Sequence, residues 1–286
     1  NENFVDIINK FVFKVSLPVL LFKDIATTPI RDAFDPKFVI FCMIGTTIMF
    51  MGIWALTNIF MKDKSMVGAF TQASARGSAA VLGIAFVQNI YGNSGMTPLM
   101  IVSAVPLYNI YSVIILTFCA NNQDHSDKAA TIKRAFKNIL TNPIILGIAA
   151  GVPFSLLNIE LPPLVLKTVT NVAQTATPMA LLAVGAGFEG RKAIKKLKPT
   201  MIATFIKLVA LPAIYFPFAI AMGFRESALV AILIMVGSPT TVTCYIMAKN
   251  MGNDGVLSSS IIVMATLLSS VTLTFWIFLL KSMGLI

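Results

Sequence analysis

Apolar runs of about 20 residues recur along the whole chain, divided by short polar stretches, and each is long enough to cross a hydrocarbon core as an α-helix. The pattern predicts spanning helices over 5–23, 37–60, 66–90, 97–120, 142–158, 164–188, 199–223, 226–250 and 255–280. Residues that bend or break helices recur along the chain at one offset of 160: Pro18 with Pro178, Gly77-Ser78 with Gly237-Ser238, and Gly92-Asn93 with Gly252-Asn253. Self-similarity of this kind marks a duplicated architecture. The same offset puts the counterpart of the 142–158 helix ahead of Asn1, so ten helices are expected, five per half, with the first missing from this chain. The expected fold is an all-α polytopic membrane protein, a 5+5 inverted repeat with two broken crossover helices. Its parts are 1–120 as first repeat, 121–141 as cytoplasmic linker and 142–286 as second repeat.

An odd number of helices per half reverses the orientation of the second half. Loop charge gives the same alternation under the positive-inside rule. Basic residues collect in 61–65 (Lys62, Lys64), 121–141 (Lys128, Lys133, Arg134, Lys137) and 189–198 (Arg191, Lys192, Lys195, Lys196, Lys198). The intervening loops lack them: 91–96 has no charge, 158–163 only Glu160, 223–226 sets Arg225 against Glu226, and 24–36 sets Arg31 against Asp24, Asp32 and Asp35. The C-terminus is then outside.

With 57% hydrophobic and 12% charged residues, the net charge of +10 is accounted for by these short loops, and no nucleic-acid partner is implied. Cys42, Cys119 and Cys244 lie in apolar helices and His125 in a hydrophilic loop, so neither a disulfide framework nor a metal site is suggested. No nucleophilic triad, paired buried carboxylates or phosphate loop points to an enzyme.

Chemistry is concentrated at the helix breaks. Around Gly237-Ser238-Pro239-Thr240-Thr241 the helix should be interrupted, since glycine is a poor helix former and proline cannot donate to the preceding turn. Ser238 reads as an N-cap and Pro239 as the first residue of a new half-helix. Segments of roughly 15–18 Å on either side put the break near the bilayer midplane. Gly77-Ser78 is the matching break. Two antiparallel broken helices would aim two N-termini, with free N–H groups and positive dipole ends, at one point, which suits an anion.

Charge within the spans agrees. Lys14, Arg76 and Lys207 lie inside or beside apolar stretches, whereas the acidic residues lie in loops or near helix ends. Arg76 precedes the first break, and an intramembrane cation such as Lys207 is a candidate for an anion site. Tyr108, Asn109 and Ser112 add hydrogen-bonding groups along one helix, with Tyr108 and Ser112 one turn apart. Pro18, Pro178 and Gly237 are expected to act as bends or hinges, the first two following Ser16 and Thr177.

Several motifs, taken together, resemble the auxin efflux carrier family of permeases, especially its bacterial members. They are Ser16-Leu-Pro18-Val-Leu-Leu-Phe22; Arg76-Gly77-Ser78; Pro106-Leu-Tyr108-Asn109-Ile-Tyr-Ser112; Asn142-Pro143 through Gly147; Thr177-Pro178; Lys207-Leu with Leu-Pro212; and Ser238-Pro239-Thr240 followed by Gly252-Asn-Asp254. The resemblance implies a ten-helix inverted repeat, shared with bile-acid sodium symporters, whose broken helices cross at the substrate site. It implies organic-anion cargo, such as auxin, malate, malonate or lactate, and elevator-like motion past a scaffold of the first two helices of each repeat. The chain departs from the family pattern at Ser78, where Asn is usual, at Ala85, where Pro is usual, and at Lys14, where an aromatic is usual.

The sequence thus predicts a secondary active or facilitative carrier of small carboxylates, with a membrane-embedded metabolite or lipid sensor as the alternative. The expected setting is a cell membrane, that of the bacterial inner membrane by resemblance. No cofactor is implied, a coupling Na+ or H+ is left open, and a homodimer is left open.

Overall fold

The computed structural model describes residues 2–27, 35–120, 135–157 and 159–286, and the regular elements among them are all helical. Helix α1 runs from Glu2–Phe11 through a π-helical stretch, Val12–Ser16, into Leu17–Ala26. Next come α2 (Pro36–Phe60), α3 (Val67–Ala75), α4 (Ala79–Tyr91), α5 (Thr97–Phe118) and α6 (Pro143–Leu157). Pro163–Gln174 and Ala176–Ala186 form α7 and α8, joined at Thr175. Gly190–Lys195 is the short α9; α10 comprises Leu197–Phe205, the π-helical Ile206–Ala210 and Leu211–Ala221. The chain closes with α11 (Glu226–Gly237), α12 (Thr243–Asn250) and α13 (Gly255–Ser282).

Four of these stretches are long and apolar enough to cross a bilayer uninterrupted: Pro36–Phe60, Thr97–Phe118, Leu197–Ala221 and Gly255–Ser282. The other expected spans are assembled from shorter helices in series or are themselves short. The reason is local chemistry. Pro18 has no amide to offer the carbonyl of Lys14, and the π-helical stretch sits immediately before it. Pro212 likewise frees the carbonyl of Leu208, which accepts the indole N–H of Trp276 at 2.9 Å. At Pro178 the interruption falls at Thr175, whose hydroxyl meets that of Ser16 at 2.8 Å, so the two bent helices touch where they bend. The 189–198 segment, expected as a loop, is mostly the helix α9. Of the linker charges, Lys128, Lys133 and Arg134 lie outside the described residues, as do His125, Arg31 and Asp32.

Helices α2 and α10 run antiparallel. At one end Lys37 donates to the Met222 carbonyl and the Phe38 ring meets Phe224 edge-on at 5.6 Å. At the other end Lys62 and Lys198 border one groove, so the basic loops 61–65 and 189–198 share a face of the molecule. Helix α6 approaches α1 unusually closely: a Cβ at Gly147 would lie 2.4 Å from the Pro18 carbonyl oxygen, and one at Gly151 2.9 Å from that of Phe22. Small residues four apart let backbones meet in this way in a membrane, where apolar side chains gain little by leaving lipid.

The buried apolar residues form two cores. One gathers α2, α5, the second part of α10, α11 and the end of α13; the other gathers α1, α6, α8, α12 and the start of α13. The chain passes between them at the two breaks. Ala69, Phe70 and Ala73 of α3 belong to the second core, Ala75 at its end and Ala79 of α4 to the first, whereas α11 belongs to the first and α12 to the second. Helix α11 is buried on every side from Ala228 to Gly237, which explains a sequence there with no polar face.

Candidate functional site

Both expected breaks occur. Residues 76–78 separate α3 from α4, and 238–242 separate α11 from α12. The backbone is extended at Arg76 (φ −81°, ψ 119°) and Ser238 (φ −69°, ψ 153°). The two extended pieces lie antiparallel: the Ser78 amide donates to the Pro239 carbonyl at 2.9 Å, and Gly77 pairs with Thr240 in a single β-bridge. Expecting Pro239 to open the second half-helix is therefore incorrect. Its carbonyl is committed to the other break, and the helix resumes only at Thr243, leaving eight residues, about 12 Å, where 15–18 Å was expected. Ser78 does occupy the N-cap position of α4, but without a side-chain cap. Gly77 is required by proximity, since a Cβ there would come within 2.2 Å of Ser238 Oγ and 2.9 Å of Lys207 Nζ. Gly237, the last residue of α11, lets that helix sit on Pro212, whose Cγ would be 2.8 Å from an added Cβ.

Breaking a helix leaves carbonyls without partners, and an unpaired buried carbonyl costs about 1–3 kcal/mol. Three of them here are met by particular side chains. The Met235 carbonyl, which would have bonded to the missing amide of Pro239, accepts from Tyr108 Oη at 2.8 Å and from Lys207 Nζ at 3.3 Å. The Ala75 carbonyl accepts from Lys207 Nζ at 2.9 Å, and that of Ala73 from Thr240 Oγ1 at 2.7 Å. Lys207, fully buried in the π-helical stretch of α10, thus places its ammonium against the C-terminal ends of both first half-helices, the negative ends of their dipoles.

Beside this crossing lies a cavity of about 400 Å3, bordered by Arg76, Gly77, Ser78, Ala79 and Ala80 at the first break, Thr241 and Thr243 at the second, Tyr108 of α5 and Thr177 of α8. The α1 side carries Leu17, Leu20, Leu21 and the Lys23–Asp24 ion pair at 2.9 Å. Arg76 is 6% exposed, and its hydrogen bond is to the thioether of Met247 at 2.9 Å, an acceptor shared with Gln72 Nε2 at 3.3 Å. No carboxylate pairs with it among the described residues. The N-terminal turn of α4 has no side-chain cap, so its first amides and the guanidinium together give the cavity an electropositive wall.

Of the residues singled out from sequence, Arg76, Gly77, Ser78, Tyr108 and Thr241 come together at the cavity. Ser238, Pro239, Thr240 and Lys207 lie behind it, in the crossing itself. Asn109 and Ser112 are buried away from its wall. The Asn109 amide donates to Val105 of its own helix at 2.9 Å, while Asn109 Oδ1 and Ser112 Oγ have no hydrogen-bond partner. Pro18 and Pro178 flank the cavity through their neighbours Leu17 and Thr177. Sequence reading missed Thr243 and the Lys23–Asp24 pair. The charge pattern places Asp24 in the 24–36 loop, but it lies in the last turn of α1, and a carboxylate following an apolar run is the signal that points to it.

Residues 2–277 match the sequence profile of a family described as membrane transport protein. The chain is also similar to a "Putative malonate transporter" of Rhizobium meliloti (strain 1021), with 24% identity over 283 residues, covering 96% of this chain and 87% of the relative.

Proposed function

Because this chain belongs to the membrane transport protein family, whose members are transporters and not enzymes, we propose that it carries small organic anions across the bilayer through the cavity at the crossing. One observation supports this above the others: a buried guanidinium, held by a thioether and not by a carboxylate, faces the cavity beside an uncapped helix N-terminus. In surroundings that exclude water, such a charge favours an anionic ligand. Arg76 and the first amides of α4 take one carboxylate; the hydroxyls of Ser78, Thr241 and Thr243 orient the rest of the molecule, and Tyr108, whose O–H is donated to Met235, forms part of the wall. Malonate, named in the description of the relative, and other short di-acids are the cargo proposed first.

The proposed architecture is the inverted repeat, with 1–120 and 142–286 as its halves about the 121–141 linker, in a bacterial inner membrane. The antiparallel setting of α2 and α10, which stand at equivalent positions, supports it. So do the left-handed glycines Gly92 (φ 75°) and Gly252 (φ 69°), which follow the second half of each broken helix at the same offset. Since the Ser78–Pro239 and Thr240–Ala73 bonds tie the two breaks together, a motion that turns the cavity from one side to the other carries both crossovers as one body. This is an elevator-like step past α1, α6, α7 and α8.

Uptake into proteoliposomes tests the reading. Labelled malonate, malate and lactate should enter in preference to an amine or a neutral sugar of similar size. Affinity should weaken as pH falls through the substrate's own carboxyl pKa, about 4–5, because protonation removes the charge that Arg76 recognises. Preference for the amine or the sugar would sink it.

A further inference from the structure

A second concavity, about 490 Å3, opens on the outer surface where α2 ends and α10 begins. Its walls are apolar: Leu56, Phe60 and Ile202 border it and remain 56%, 77% and 45% exposed. Its rim is charged and lies on the face where the basic loops gather. Lys62 and Lys198 stand on opposite sides, both exposed, and neither has a hydrogen bond or ion pair among the described residues.

The neighbouring charges are already engaged. Lys196 pairs with Asp254, Lys64 donates to the Asn58 carbonyl, and Asp63 turns back into its own loop, accepting from Ser65 N at 3.0 Å and Ser65 Oγ at 2.6 Å. Two ammonium groups therefore remain over an apolar slot. The adjoining α9 puts Ile194, 74% exposed, among Arg191, Lys192 and Lys195, as expected of a segment lying at headgroup depth.

We propose that this groove holds one anionic glycerophospholipid, with an acyl chain along Leu56, Phe60 and Ile202 and the headgroup phosphate between Lys62 and Lys198. Charge decides the class of lipid. A zwitterionic headgroup would bring its own cation to a rim whose two lysines already outnumber its one carboxylate, Asp63, whereas an anionic one is attracted by each lysine close to the membrane surface. The volume is within the range of ordinary ligand pockets, and the site is separate from the transport cavity.

The test uses the full chain, purified in detergent and stripped of lipid. Native mass spectrometry and thermal shift are recorded with dioleoyl phosphatidylglycerol, with dioleoyl phosphatidylcholine and with glycerol phosphate. Phosphatidylglycerol should bind and raise the midpoint most, glycerol phosphate should do neither, and Lys62→Gln with Lys198→Gln should reduce the preference over phosphatidylcholine by about tenfold. Ile202→Trp, which fills the slot and keeps both charges, should also lower phosphatidylglycerol occupancy. Equal retention of the two lipids, an unchanged preference in the double lysine variant, or a shift reproduced by glycerol phosphate would overturn the proposal. So would a dimer in the stripped protein that Ile202→Trp dissolves, since a second copy would then be the occupant.

Discussion

The two helix breaks stand at equivalent places in the sequence, yet they do different things. The first, at residues 76–78, is short and sends its chemistry outward: Arg76, Ser78 and the uncapped start of α4 all border the cavity. The second, at 238–242, is longer and turns mostly inward. Ser238, Pro239 and Thr240 are absorbed in the crossing, and only Thr241, with Thr243 just beyond, reaches the cavity. Proline explains much of this difference. It frees the Met235 carbonyl, and Tyr108 and Lys207 converge on that carbonyl to satisfy it, so the second break becomes the joint on which the first is mounted.

If the first break binds the substrate and the second supports it, substitutions should separate function from stability. The largest effect is expected at Arg76. Arg76→Gln should reduce malonate uptake by about 100-fold, the equivalent of roughly 2–3 kcal/mol, while the thermal midpoint in detergent changes little. A large fall in midpoint with uptake per folded molecule preserved would move Arg76 to the supporting side.

Lys207→Met should do the reverse. It leaves the Ala75 carbonyl without its donor, at a cost of about 1–3 kcal/mol, while Met235 keeps Tyr108. The midpoint should drop, and uptake per folded molecule should fall far less than in Arg76→Gln. An unchanged midpoint with uptake lost would instead place Lys207 with the substrate, as the sequence suggested.

The smallest effect is a coupling between the breaks. Gly77→Ala should destabilise the protein, because its methyl would press on Ser238 Oγ. Adding Ser238→Ala removes that oxygen and should restore about 0.5–1 kcal/mol, read as non-additivity in a double-mutant cycle of midpoints or denaturation free energies. Additive losses would mean that the breaks are not in mutual contact in the membrane.

Much of this was legible along the chain. Apolar run length located the helices to within about three residues, because a continuous apolar run of about 20 residues can satisfy its own backbone in a bilayer only as a helix. Gly77, Gly237 and Pro239 announced the interruptions, and Gly92 and Gly252 announced the ends that follow, because a left-handed φ of 75° or 69° suits glycine best. Lone intramembrane cations marked positions that must find partners, because a charge in an apolar run requires one.

The partners were not legible, because they are chosen by contacts between segments far apart in the chain. Arg76 and Lys207 look alike in sequence, each a cation in an apolar run. The fold gives Lys207 two carbonyls from separate half-helices and leaves Arg76 with a thioether and an open cavity. Likewise Pro239 ends a helix by its own covalent structure, but where the helix resumes depends on the opposing strand of residues 76–78, whose amide at Ser78 claims the proline carbonyl. The sequence by itself thus determined where backbone hydrogen bonding must fail, since proline and glycine act locally. Only the tertiary structure decided which groups would repair each failure, since a buried carbonyl takes whichever donor packing brings within 3 Å or so.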